Sequence, residues 1–251
     1  TKVYPVKDYR FVLRMRGNKL SANLTEMDPQ QIGVPLRSIQ PSSTQAKLTA
    51  IAANDFVRQA RTLLVEERQA NMISLRGFSG MPHLTSLYDI YKLNAGAIAA
   101  YPMYKGLAAI LGMKVLTTGS TFQEELATLI DKYDDHDFFF IHYKSADTAG
   151  EDGDFDGKVN ALEQLDSFIP KILELNPDVM LVAGDHSTPS IMKGHSWHPV
   201  PLLISSRWTQ GEGIESFNER TCSQGSLGTI QAVNIMPLAM AHAGKLLKFG
   251  A

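Results

Sequence analysis

Apolar residues along this 251-residue chain fall into two rhythms: short runs of strand length, and longer stretches in which they recur every three or four positions. The first segment reads as a strand in YRFVLRMRG, a Pro- and Ser-rich connection through PLRSIQPSSTQ, a long helix over AKLTAIAANDFVRQARTLLVEERQ, and a strand in NMISLRG. After FSGMP the order is a helix over KLNAGAIAAYPMYKGLAAIL, a strand in MKVLTTG, a helix over TFQEELATLIDKY and a strand in DFFFIHYK. A helix over KVNALEQLDSFIPKILEL, strands in DVMLVAGD and VPLLISS, and a closing helix over LGTIQAVNIMPLAMAHAGK complete the pattern. This alternation predicts an α/β protein with a mostly parallel sheet and helices on both faces. Residues 1–84 form a smaller α/β unit of their own, and residues 85–251 form the main one.

In sheets of this kind the chemistry gathers where strands end. DFFFIHYK runs directly into Asp147 and Glu151, DVMLVAGD delivers Asp185 and His186, and His195 lies in the loop before PVPLLI. Carboxylates and imidazoles arriving from three strand ends have the makings of a site for a pair of divalent cations, the arrangement that clamps both sides of a phosphoryl transfer. Mixed Asp and His ligands suit zinc or manganese better than calcium. Each residue has a plainer role as well. Asp185 suits an N-cap, His186 a hydrogen-bonded core position and His195 a loop, and His142, on the strand itself, is expected to be structural.

One motif points elsewhere. Asp152, Asp154, Asp156, Gly157 and Glu163 match the spacing of an EF-hand calcium loop, with Val159 at its apolar eighth position. The expected entry into that loop is a strand, and no second loop is present to pair with it. The alternative is that these carboxylates cap and solvate a helix start.

Composition narrows the partners. A formal charge of −2 without a Lys/Arg stripe gives no footprint for nucleic acid. The apolar runs are far shorter than the ~20 residues of a membrane-spanning helix, so no membrane partner is expected. The opening TKVYPVKDYRFVLRMRG carries no export pattern, and the single cysteine, Cys222, has no internal disulfide partner. Both favour a cytoplasmic setting.

HYKSADTAGEDGDFDGKV, GDHSTP and HSWHPVPLLI, together with YRFVLRMRGNKLS near the start and KFGA at the end, strongly resemble the archaeal-type cofactor-independent (2,3-bisphosphoglycerate-independent) phosphoglycerate mutases of the alkaline phosphatase superfamily. The likeness spans nearly the whole chain. It implies an alkaline phosphatase-like fold, two divalent cations (manganese first, zinc or magnesium next), and a phosphoglycerate substrate whose phosphate passes through a serine. Carried over, Asp147 and His195 would hold one ion and Asp185 and His186 the other. Glu151 stands where many members have a histidine ligand, and His198 where aspartate is usual. Residues 1–84 resemble the family's inserted cap, with Arg76 and then Arg16 as the expected anchors for substrate anions and Lys144 reaching the same pocket.

The resemblance also implies an N-terminal segment, bearing the nucleophilic serine and one aspartate ligand, that has no counterpart here. The expectation is therefore roughly the C-terminal two thirds of a mutase, inactive alone, with uncovered sheet surface that invites a homo-oligomer or a complementing segment. The alternatives are a phosphomonoester hydrolase of the same superfamily, or a non-catalytic fragment that binds metal or calcium.

Overall fold

The structure, a computed structural model, describes residues 1–6, 9–211 and 215–246. The terminal KFGA motif lies outside the described residues. The chain divides into two compact units, Thr1–Thr85 and Ser86–Ala251.

In the first unit, β1 (Lys2–Pro5) pairs antiparallel with β2 (Phe11–Arg14), Lys2 opposite Arg14 and Pro5 opposite Phe11. Alternation along β2 sends Phe11 and Leu13 toward a core of Met27, Ile39, Ala53, Val57 and Leu75. The expected long helix is α1 (Lys47–Leu63), which ends short of VEERQ. Its last buried residue is Val57, and Leu63 and Val65 face solvent, so no packing supports a longer helix. Asn54 fastens α1 to the preceding segment: its Nδ2 donates to the Ile39 carbonyl (2.8 Å) and its Oδ1 accepts from the Ile39 amide (3.1 Å). NMISLRG is not a strand. Its alternation is real, with Leu75 buried and Ile73 packed on the core, but among the described residues its one backbone-to-backbone bond to the unit is Met27 N–H to the Leu75 carbonyl (3.2 Å), and the Gly77 amide bonds a side chain, Glu26, instead.

The second unit opens with α2 (Leu87–Tyr91), and the long helix expected next is instead a strand followed by a helix. β3 (Ala95–Ala99) is buried throughout, and α3 (Pro102–Ile110) starts at a proline, whose fixed φ suits a first helical position. AGAIA favours helix by intrinsic propensity, and burial at the centre of a sheet overrides it. The small residues are needed there: a Cβ on Gly96 would lie 3.1 Å from the His136 ring and 3.2 Å from Leu116. β4 (Lys114–Val115) and β5 (Phe138–His142) flank β3 on either side, both parallel to it, and β5 runs from Phe138 opposite Ala95 to His142 opposite Ala99. Between them lies α4 (Phe122–Lys132), whose Leu126 and Leu129 pack with Ile98 and Leu116. A capping box starts it, with the Thr121 hydroxyl accepting from the Glu124 amide and the Glu124 carboxylate accepting from the Thr121 amide.

The acidic segment after β5 is helical. α5 (Ser145–Asp152) ends at Gly153, left-handed at φ 76°, and Asp154 immediately caps α6 (Phe155–Asp166) by accepting from the Gly157 amide at 2.8 Å. The helix expected to run on to Leu175 stops at Asp166 and restarts as α7 (Ile169–Leu173), with Pro170 in its first turn. β6 (Val179–Ala183) and β7 (Leu202–Ser206) then pair antiparallel, so the parallel reading holds for β3, β4 and β5 but not for this ribbon. The short α8 (Glu219–Cys222) and α9 (Ile235–His242) close the unit, α9 being much shorter than the expected closing helix. Among the described residues, no helix is long and apolar enough to cross a membrane.

Candidate metal centre

Three segments meet beyond the ends of β5 and β6. α5 follows β5 after two residues and places Asp147 and Glu151 one helical turn apart on a single face. β6 ends at Ala183, and Asp185 and His186 follow. His195 lies in the loop before β7, where a backbone bridge between Ser187 and Ser196 (Ser196 N–H to the Ser187 carbonyl, 2.9 Å) ties it to the β6 loop. The imidazoles of His186 and His195 consequently lie 3.8 Å apart, centre to centre.

Asp147, His186 and His195 each bring one ligand-type atom to within 4.8 Å of the others. His195 Nε2 is 3.8 Å from Asp147 Oδ1 and 3.4 Å from Glu151 Oε1, and His186 Nε2 is 3.6 Å from Asp185 Oδ2. All five residues expected to bind metal therefore gather in one place. Lys144 joins them rather than facing outward: its ammonium contacts Asp147 Oδ2 directly and lies 3.7 Å from Glu151. Arg76 and Arg16 belong to the other unit, where Arg76 pairs with Asp28 at 3.5 Å and Arg16 is exposed.

Two residues that sequence reasoning missed hold this group in place. Tyr104 on α3 is buried, donates its hydroxyl to Asp185 Oδ2 and stacks on His142 at 3.4 Å, so His142 backs the group from within the sheet. Thr188 is 3% exposed and donates its hydroxyl to Asp147 Oδ1 at 2.6 Å. Its carbonyl accepts from Lys158 Nζ (2.6 Å), and its methyl packs on Gly150, where an added Cβ would lie 2.4 Å from the Thr188 carbonyl oxygen. The single threonine of GDHSTP carries no period or charge that would single it out. Tyr104 was hidden by the helical reading of its neighbourhood.

Electrostatics reflect this crowding. Burial alone would push the Asp147 carboxyl up, but bonds from Lys144 and Thr188, with the nearby charges of Lys144 and His186, hold it below the ordinary carboxylate range. Asp185 behaves likewise, with burial outweighed by the Tyr104 bond and His186. Burial, then the Asp185 carboxylate, pushes the Tyr104 hydroxyl well up. Burial draws His142 down. Three carboxylates and two imidazoles facing one another against a single ammonium form a donor set that suits a divalent cation, with imidazole nitrogen favouring the transition metals.

The calcium motif dissolves in the fold. Asp152 ends one helix, the Asp154 side chain is committed to capping the next, and the positions from Phe155 to Glu163 lie within α6, so they do not wrap a common centre. The entry is a helix rather than the expected strand, and only two residues separate it from α6. His198 bonds Ser196 Oγ at 2.9 Å and stacks on Trp197 rather than joining the ligand group.

A cluster of residues able to hold a metal, at strand ends of a mixed α/β protein with a parallel sheet, defines a class, and comparison with known families agrees: residues 18–242 match the Metalloenzyme superfamily model, and the chain belongs to that family. Membership implies divalent-metal binding and an alkaline phosphatase-like fold. Among particular relatives, a protein of Thermotoga neapolitana named "Probable 2,3-bisphosphoglycerate-independent phosphoglycerate mutase" is 48% identical over 248 residues, covering 99% of this chain and 62% of the relative. A protein of the same name from Thermus thermophilus is 41% identical over 251 residues, again covering 99% and 62%. The chain thus spans 62% of the length of these curated relatives. The PH0037 protein from Pyrococcus horikoshii superposes with a TM-score of 0.75 at 29% identity, over 83% of this chain and 60% of that one. A cofactor-independent phosphoglycerate mutase from Thermoplasma acidophilum shares the fold, with a TM-score of 0.62 at 23% identity over 91% and 61%.

Proposed function

We propose that this chain is the metal-binding part of a 2,3-bisphosphoglycerate-independent phosphoglycerate mutase, a cytoplasmic enzyme that interconverts 3- and 2-phosphoglycerate. The meeting of Asp147, His186 and His195 carries the reading, and the names of the relatives support it. Asp147, His195 and Glu151 would hold one divalent ion and Asp185 with His186 a second, manganese being the favoured metal. Bound there, the ions would supply charge neutralisation and Lewis-acid polarisation at a phosphoryl group.

The chain's own residues do the positioning. Tyr104 and the His186 amide each donate to one oxygen of Asp185 and fix its orientation, and Lys144 neutralises Asp147 and Glu151, which otherwise repel each other and the substrate's phosphate. Residues 1–84 would act as the cap, with Arg76 and Arg16 engaging phosphate and carboxylate; release of Arg76 from Asp28 is cheap, because Arg76 is exposed, Asp28 is only part-buried and the two are 3.5 Å apart. The phosphorylated serine would come from the part of the relatives that this chain does not span, so the isolated chain is expected to be inactive and to be completed by that segment.

The test is conversion of 3-phosphoglycerate to 2-phosphoglycerate, coupled to enolase, with manganese present or absent, by the chain alone and mixed with the remaining segment of the Thermotoga neapolitana relative. Activity should require both the segment and manganese, and Asp147→Ala should remove it together with the manganese-induced rise in Tm. A rise in Tm that survives Asp147→Ala would remove that residue from the site. Release of inorganic phosphate in place of 2-phosphoglycerate would turn the reading to a hydrolase.

A further inference from the structure

Thr188 sits between the two halves of the ligand group, and its hydroxyl has one proton to give. Asp147 Oδ1 accepts that proton at 2.6 Å, while the other oxygen of Asp147 faces the Lys144 ammonium, so the carboxyl is an acceptor on both sides. The Thr188 oxygen also lies 3.0 Å from His186 Nδ1. Having donated once, it meets Nδ1 only as an acceptor, and Nδ1 must therefore carry a hydrogen. We infer that Thr188 is a positioning residue that fixes His186 as the Nδ1–H tautomer and presents its bare Nε2 to the Asp185 side of the centre.

The rest of the geometry follows this assignment. His186 Nε2 lies 3.6 Å from Asp185 Oδ2, outside hydrogen-bond range, so no donor is needed on that nitrogen. A nitrogen lone pair and a carboxylate oxygen held at that spacing are two vertices awaiting a common cation. Thr188 itself cannot turn away: it is 3% exposed, its carbonyl is held by Lys158, and its methyl is wedged on Gly150. The relay His186 Nδ1–H to Thr188 to Asp147 thus joins the β6 loop to α5 by one chain of hydrogen bonds, and each member polarises the next. An outer partner of this kind orients a ligand and strengthens its bond to metal, and its loss typically costs about 10- to 100-fold in affinity.

The consequence for metal rests on reading these residues as ligands; the tautomer does not. The test therefore has two readouts on the 251-residue chain. The first is the ¹H–¹⁵N long-range NMR pattern of His186 without metal, assigned by His186→Gln and recorded near pH 8, where an ordinary imidazole is neutral. Wild type and Thr188→Ser should show a protonated Nδ1 and a bare Nε2, and Thr188→Val, which keeps the shape and loses the hydroxyl, should lose that preference. The second is manganese affinity by calorimetry, expected to fall about 10- to 100-fold in Thr188→Val and to stay near wild type in Thr188→Ser. A wild-type His186 protonated on Nε2, or a Thr188→Val chain with wild-type tautomer and affinity, would overturn the inference. A wild type with the expected tautomer that takes up no manganese would uphold the assignment of Thr188 and end the metal reading.

Discussion

Glu125, on the opening turns of α4, is the one buried acidic residue among those described, and it makes the stability of this unit depend on pH in a calculable way. The side chain is 3% exposed and its Oε1 has no hydrogen-bond partner. Burial raises its pKa from an ordinary 4.5 to about 7, against smaller opposing effects of the Ala100 backbone and Lys105. The folded chain therefore holds a proton that the unfolded chain releases at lower pH. Stability from this group is greatest below pH 4.5, declines as pH rises, and levels off above about 7. At 1.4 kcal/mol per pH unit the full cost of ionisation is ~3 kcal/mol, of which ~2 kcal/mol falls between pH 5.5 and 8.5. Glu125→Gln keeps the shape and removes the titration. The Tm of the variant relative to wild type should climb by roughly 4–8 °C across that pH interval, measured by calorimetry or circular dichroism in matched buffers. Other titrating groups cancel in the difference. A gap between the two proteins that is flat from pH 5.5 to 8.5 would refute the reasoning.

Two further substitutions probe how the site is built. Gly150→Ala would gain ~1 kcal/mol of helix propensity but thrust a Cβ to 2.4 Å from the Thr188 carbonyl oxygen, so overpacking should prevail at ~1–3 kcal/mol net destabilisation with weaker manganese binding; a stabilised variant in urea titration would contradict this. Thr121→Ala removes half of the α4 capping box and should lower stability by ~1 kcal/mol, read by urea midpoint, while manganese affinity stays unchanged because α4 contributes no ligand.

The positions of the candidate ligands were legible because apolar runs are easy to see and each is followed at once by acids or histidines, as in FFFIHYKSAD and VMLVAGDH. What failed did so for identifiable reasons. AGAIA carries no β-branched pattern beyond Ile98, and only its burial at the sheet centre, invisible in one sequence, made it a strand. The acidic loop was expected to be entered from a strand, because the residues of SADTAGED are polar and small with no clear helical period, yet they form a helix directly after β5. The antiparallel pairing of β6 with β7 was within reach: a parallel return needs a crossover, usually a helix, and GDHSTPSIMKGHSWHPV has no helical period. Thr188 and Tyr104 act through single hydroxyl bonds between segments distant in sequence, and such pairings leave no local trace.

The Ser187–Ser196 bridge has a consequence for how a metal would be received. An ion that drew two histidines together across an open loop would bear the entropy of closing it, which for a loop of this length is ~2 kcal/mol. Folding itself closes this one, through the bridge that brings the imidazoles to 3.8 Å of each other. Metal capture then resembles binding to a rigid macrocycle more than the wrapping of a flexible peptide. Little chain is left to be ordered on binding, and selectivity among cations falls to the donors themselves.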